Sequence, residues 1–277
     1  MGEKMRADKY LVERCDYTRS QIKKGKITVN GNVVKAGYIV KEGDDVQVEL
    51  QEEVFVEPED IKIDVVHEDD HLMIINKPRG MVVHPGAGNR SGTLLNGLLS
   101  IQSGDLERAG IVHRLDKNTA GLMVVAKDVQ TMGLLSSMFE RKDVKRVYIG
   151  LVEGVVKEDG IINKNIIRDT RNRVLFTTGS GGRRAITHYK VLRRFTKWTL
   201  VEFRLETGRT HQIRVHAKSI GHPLVGDPEY NPRSSIKFDG QLLESVEIEF
   251  LHPVTEKNIV HKIKPSEEFD TILKRLV

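Results

Sequence analysis

The charge of this chain reverses abruptly between residues 41 and 42. Residues 1 to 41 carry ten Lys or Arg against four acidic side chains, whereas residues 42 to 60 carry nine Asp or Glu and no Lys or Arg. A block change of this kind marks a boundary rather than the mixed surface of one core. With 277 residues there is room for a small unit followed by one sizeable domain. We therefore divide the chain into residues 1–58, a basic unit with an acidic linker, and residues 59–277, the main domain.

The basic unit reads as two short helices and a small sheet. MRADKYLVERC sets Leu11 and Val12 on a charged background, and Thr18 can cap a second helix, TRSQIKKGK, stopped by Gly25. Arg19, Lys23 and Lys26 fall at helical spacing with Lys24 beside them, which predicts a basic helix face. The following KITVNGNVVKAGYIVKEGDDVQVEL alternates short strands with turns at Asn30-Gly31 and Glu42-Gly43. This order, over roughly residues 5 to 50, resembles the S4 RNA-binding domain. A net charge of +5 and a pI near 9.1 also point to a polyanionic partner. The single cysteine, Cys15, excludes an intramolecular disulfide and a cysteine-based zinc cluster. No apolar run is long enough to cross a bilayer, and the N-terminus lacks the apolar core of a secretory signal, so a cytoplasmic protein is expected.

The main domain is rich in strands. DIKIDVVHEDDHLMIINKPRGMVVHPG supplies two apolar segments and a Pro-Gly loop, and GLMVVAK, VKRVYIGLVEG, TLVEFRL and VEIEFLHP are further strands. TMGLLSSMFERK predicts a helix with Met132, Leu135, Met138 and Phe139 on one face. Helices scattered among hairpin-like strands give an α+β fold.

HRLDKNTAGL, residues 113 to 122, carries the leading candidate for chemistry. Asp116 lies between Arg114 and Lys117, in a turn just ahead of a buried strand, where nearby cations favour the ionised carboxylate. An aspartate so placed can also serve only to tie down the turn. In THQIRVHAKSIG, Ile213, Ala217 and Ile220 recur at helical spacing, with Thr210 as cap and Gly221 as stop, which puts Arg214 on a rigid helix. His211 and His216 are five residues apart and so on different helix faces, which argues against a metal pair. No serine stands in a GxSxG turn of the hydrolase type. Arg168, Arg171, Arg173, Arg183 and Arg184 bracket a flexible GSGG at 179 to 182, a basic hairpin with a mobile tip suited to an RNA backbone.

Four stretches in order, HEDDHLMIINKPRGMVVHP, HRLDKNTAGLMVVAK, KRVYIGLVEG and GRTHQIRVHAKSIGHPLVGDPEY, resemble the RluA family of RNA pseudouridine synthases with an N-terminal S4 domain. The resemblance spans nearly the whole chain. It departs from the family's usual pattern at Ala120 and Asn231, where Ser and Gly are more common. It implies a pseudouridine-synthase fold with a mixed, mainly antiparallel central sheet, and isomerisation of uridine in large-subunit ribosomal RNA. By the same resemblance Asp116 is the catalytic aspartate, Arg214 orients it, Tyr148 packs against the uracil, and Arg114 takes the place of the flipped base. His113, Lys77, Arg19, Lys23, Lys24, Arg183 and Arg184 are expected to touch RNA, Lys77 mainly by shaping the pocket floor. No metal, cofactor or membrane is implied, a monomer is expected, and no second carboxylate is evident at the site. The competing reading is a non-catalytic S4-type RNA-binding or ribosome-assembly protein.

Overall fold

The computed structural model describes residues 5–15, 17, 22, 25–49, 56–86, 88–102 and 106–276. It comprises two compact units, Met1–Phe55 and Val56–Val277.

In the first unit a two-residue strand β1 (Met5–Arg6) leads into helix α1 (Ala7–Arg14), followed by β2 (Lys26–Val29), β3 (Asn32–Val34), β4 (Ile39–Val40) and β5 (Val46–Glu49). β2 is central, pairing antiparallel with β3 and β5, while β1 pairs with β4. The β2–β3 hairpin turns on Asn30 and Gly31, both at positive φ (51° and 76°), the conformation that an Asn-Gly pair adopts most easily. Ala7 and Leu11 of α1 bury against Ile27 of β2 and Ile22. Lys26, expected on the basic face of the second helix, instead opens β2. Thr18, Arg19, Lys23 and Lys24 lie outside the described residues.

The second unit is built on one sheet. Its strands are β6 (Asp64–Glu68), β7 (Leu72–Lys77), β8 (Ala120–Ala126), β9 (Lys145–Glu153), β10 (Gly160–Asn163), β13 (Ile186–Arg194), β14 (Trp198–Leu205), β15 (Leu243–Leu251) and β16 (Asn258–Lys262). The nine strands run β10-β13-β14-β9-β15-β8-β7-β6, with β16 added to β15. Pairing is antiparallel throughout except between β15 and β8, which run parallel over Glu244–Ala120 and Ser245–Gly121. At that crossing Gly121 has φ +112°, and a Cβ there would meet Ser245 O at 2.1 Å, so glycine is required.

Period-two alternation divides each central strand between two cores. Met123 and Val125 of β8 and Met73 and Ile75 of β7 face helix α2 (Leu94–Ile101). Leu122, Val124, Leu72 and Ile74 face the other way, against Leu135 and Met138 of helix α3 (Val129–Arg141). Helix α4 (Gln212–Ser219) packs Ile213 and Ala217 into the first core, and α5 (Glu267–Lys274) buries Phe269 against Ile149 and Leu151 of β9 in a third.

Two local expectations fail for identifiable reasons. Thr210 is exposed and does not cap α4; the N-cap is His211, at φ +56°, with no side-chain cap. The turn is held instead by Gln212, whose Oε1 accepts from Thr207 Oγ1 (2.7 Å) and Arg209 N (3.0 Å) while its Nε2 donates to Ile186 O (3.0 Å). Nor does GSGG form the tip of the basic hairpin. β11 (Ile166–Arg168) and β12 (Phe176–Thr178) pair around a loop at Asp169, whose Oδ1 accepts from Arg171 N and Asn172 N. The glycines form a tight turn after β12, closed by Gly182 N to Gly179 O (3.1 Å), and a Cβ at Gly182 would lie 2.5 Å from Ile166 C. At Gly182 the glycine is required by that close backbone approach.

Candidate active site

Asp116 occupies a turn that the rest of the domain grips by its backbone. Leu115 is buried, Asp116 O accepts from Thr119 N (3.0 Å), and Thr119 Oγ1 accepts from Gln241 Nε2 (2.9 Å). From the Lys-Pro-Arg-Gly loop after β7, two cations reach the next two carbonyls. Lys77 Nζ donates to Lys117 O (3.1 Å) as well as to Pro78 O and Met81 O (both 2.9 Å), and Arg79 Nη1 donates to Asn118 O and Gln241 O (both 2.5 Å). Arg79 is itself held by Glu244 at 3.1 Å.

Lys77 is wholly buried, and its three N–H groups are matched by three carbonyls. Burial pushes its pKa down to about 7, against the pull of Asp116 and with the help of Arg79. The expectation that it touches RNA is therefore corrected: Lys77 is an internal brace below the site and does not reach solvent.

The Asp116 side chain emerges on the wall of a cavity of about 650 Å³ that Arg114, Tyr148, His211 and Arg214 also line, and all of these belong to the second unit. A nucleotide fits within that volume. Arg114 is exposed at the cavity and has no hydrogen-bonding or ion-pair partner among the described residues. Tyr148 comes from β9, where it is 5% exposed, and burial raises its phenol pKa.

Arg214 does approach Asp116, but only through Nη1 and at 3.4 Å. Its tighter partners were not evident in the sequence. Nε and Nη2 form a fork with Asp227 (2.7 and 2.8 Å), and Nη2 also meets Glu229 at 2.6 Å. Burial works against the guanidinium charge, yet Asp227, Asp116 and Glu229 outweigh it and raise the pKa. The expected lack of a further carboxylate is thus wrong, since two more stand on the same arginine. Asp227 has no exposure, and its Oδ1 also accepts from Glu229 N (3.0 Å) and Tyr230 N (2.9 Å), the geometry of an aspartate opening a turn. The Asp-Pro pair in GDPEY signals that turn; nothing local signals its arginine.

His211 is the other residue that the sequence reading passed over. Its Nε2 lies 3.9 Å from Asp116 Oδ1, and its Nδ1 lies 2.8 Å from Tyr230 Oη and 3.8 Å from Glu229. Tyr230 Oη accepts from Phe176 N (2.9 Å), so it ties the ring of His211 to β12. Burial lowers the His211 pKa against the pull of Asp116; Arg214 adds to the lowering, and Glu229 and Asp227 oppose it.

His113 lines the cavity but is tied to the scaffold. Its ring stacks on Phe139 at 4.4 Å and its Nε2 accepts from Val124 N at 3.0 Å. Burial, with Arg146, pushes its pKa down to about 3, so it is neutral. His216 is buried between Thr187 and Lys164 O, away from His211. Among the described residues no group of three His, Cys, Asp or Glu could hold a metal ion, and no helix is long and apolar enough to cross a membrane. Arg183 and Arg184 are exposed and lie outside the cavity. Asn231 is structural, donating to Leu224 O (3.0 Å) and Glu153 Oε1 (3.2 Å).

Comparison with known proteins brings these observations into one frame. A family model described as RNA pseudouridylate synthase matches residues 71–219, and an S4 domain model matches residues 5–46. An uncharacterized RNA pseudouridine synthase of Bacillus subtilis, YlyB, is 42% identical over 287 residues, covering 98% of this chain and 94% of that one. Ribosomal large subunit pseudouridine synthase D of Escherichia coli K12 is 42% identical over 273 residues, covering 90% and 84%, and its Vibrio cholerae counterpart is 42% identical over 266 residues, covering 88% and 82%. Human RNA Pseudouridylate Synthase Domain Containing 4 superposes with a TM-score of 0.62 at 24% identity, covering 77% of this chain and 94% of that one, a likeness of fold.

Proposed function

The chain belongs to the RluA family of RNA pseudouridine synthases with an N-terminal S4 domain, and from that premise we propose that it isomerises uridines of large-subunit ribosomal RNA with Asp116 as the catalytic carboxylate. The activity itself, RNA pseudouridine synthase, is an isomerisation. The observation that carries the assignment to Asp116 is one carboxylate, fixed by its backbone and flanked by Arg214 and His211, on the wall of a nucleotide-sized cavity.

The chemistry balances without a co-substrate. The N1–C1′ bond of uridine breaks, uracil turns in the pocket, a C5–C1′ bond forms, C5 gives up a proton and N1 takes one. Attack at C1′, attack at C6 and elimination all begin from an ionised carboxylate. Arg214 faces Asp116 from the same wall, and its own fork on Asp227 stops it from collapsing onto Asp116 as a closed ion pair. The longer 3.4 Å contact leaves Asp116 free to react. Tyr148 offers a ring for the extruded base, a stacking contact worth about 1–3 kcal/mol. Arg114, exposed and without a partner among the described residues, is placed to fill the gap in the RNA stack. The basic residues of the S4 unit and Arg183 and Arg184 bind the RNA backbone outside the site.

Large-subunit RNA is the substrate named for relatives that cover most of their own length with this chain. The decisive assay is tritium release from 5-tritiated uridine in large-subunit RNA of a strain lacking the gene. Wild-type protein releases tritium and Asp116→Asn loses roughly 10⁴-fold of the rate; an unimpaired variant would falsify the assignment. A pseudouridine map unchanged by deletion of the gene overturns the choice of RNA.

A further inference from the structure

Arg146 is buried in the cavity wall without an anionic partner among the described residues. It lies on β9 at 7% exposure, and among the described residues no hydrogen-bond acceptor or carboxylate is within bonding distance of its guanidinium; Nε is fully buried and unpartnered. Glu140 and Glu206 line the same cavity without reaching ion-pair distance, and Glu206 is taken by His188 at 2.7 Å. A guanidinium in such a place is costly unless an anion meets it.

The surroundings aim the group rather than neutralise it. Phe139 packs beneath it, with the ring centroid 5.3 Å from Cζ, and Gly208 leaves it room, since a Cβ there would lie 3.1 Å from Nη1. Arg146 and Tyr148 are two residues apart on one strand, so both project from the same face about 6.6 Å apart. That is the order of the distance from a base to the phosphate of its own nucleotide. Lys142 and Arg209, both exposed, continue the positive wall.

We propose that Arg146 is the phosphate receptor of the site, binding a phosphodiester next to the uridine whose base lies on Tyr148. The proposal rests on the pseudouridine synthase reading for the position of that base. The guanidinium fork matches two phosphate oxygens, and a phosphodiester carries its full charge from the moment of binding, as the buried cation requires. Neutral uracil does not meet that requirement.

Two measurements test it. In an Asp116→Asn background, binding of a short oligouridylate with ordinary linkages is compared with binding of its uncharged methylphosphonate analogue, with Arg146 present and in Arg146→Met. Neutral linkages should weaken binding on the order of 10- to 100-fold when Arg146 is present. In Arg146→Met that penalty should shrink, leaving only the share owed to Lys142, Arg209 and the other basic residues along the backbone. An equal methylphosphonate penalty in the two proteins overturns the proposal. In turnover of large-subunit RNA, Arg146→Met should raise KM on the order of 10- to 100-fold and leave kcat within about threefold, with Arg146→Lys in between. A fall in kcat at unchanged KM would place Arg146 on the uracil and overturn it as well. Absence of turnover in wild-type protein would defeat the pseudouridine reading alone, because the binding comparison needs no catalysis.

Discussion

Two arginines are buried in the walls of one cavity, and they are kept in opposite ways. Arg214 faces Asp227 at 2.7 Å, Glu229 at 2.6 Å and Asp116 at 3.4 Å. Arg146, at 7% exposure, faces no carboxylate within ion-pair distance among the described residues. The first is satisfied by carboxylates of its own chain before any ligand arrives. The second is left unsatisfied, so its charge is available to an incoming anion. Burial of a cation therefore has two uses here, fixation and reception, and only the partner list tells them apart.

Stability measurements can break that contrast. Arg214→Met strands fully buried Asp227 without its counter-ion, so urea unfolding should show a loss of about 3–5 kcal/mol. Arg146→Met strands nothing, and stability should hold or rise by about 1 kcal/mol; equal losses in the two variants would erase the distinction. A third probe is pH. His113 is neutral in the fold, with a pKa near 3, and takes up a proton on unfolding below about 6.5. Its contribution is fully present above pH 6.5 and is lost as pH falls towards 3, because there the unfolded chain binds more protons. His113→Gln should flatten that part of the stability curve. A small loss is expected from Tyr230→Phe, which removes the acceptor for Phe176 N and the hydroxyl bonded to His211 Nδ1, about 1 kcal/mol by thermal or urea melts. A larger loss than in Arg214→Met would mean that the tyrosine, not the carboxylate fork, is the anchor of this wall.

The sequence made local features plain and long-range pairings obscure. The turn at Asp116, the buried strand after it, the face of α3 and the helix bearing Arg214 could all be read from periodicity and turn chemistry, because each depends on neighbours a few residues away. The grip of Arg79 on Asn118 O and Gln241 O, and the meeting of His211 with Asp116, join segments far apart in the chain, and no local pattern encodes them. Asp227 was hidden by having an ordinary local role, since its Asp-Pro turn explains it without reference to Arg214. Arg146 was hidden in a different way: a basic residue at the start of a strand usually means solvent, and its burial follows from Phe139 and Gly208. Two local misreadings, Thr210 as a cap and GSGG as the hairpin tip, took residue preference as sufficient where Gln212 and the backbone of Ile166 decided the geometry.

The placement of β15 sets a schedule for the enzyme's birth. Tyr148 on β9 and the strand that follows Asp116, β8, are not neighbours; β15 lies between them and bonds to both. Chains emerge from N- to C-terminus, so both residues are made long before the strand that joins their halves of the sheet. The small basic unit, complete by residue 55, can fold while the sheet is still open. A chain lacking Leu243–Leu251 has neither Leu243 in the cavity wall nor the strand that joins the two halves of the sheet.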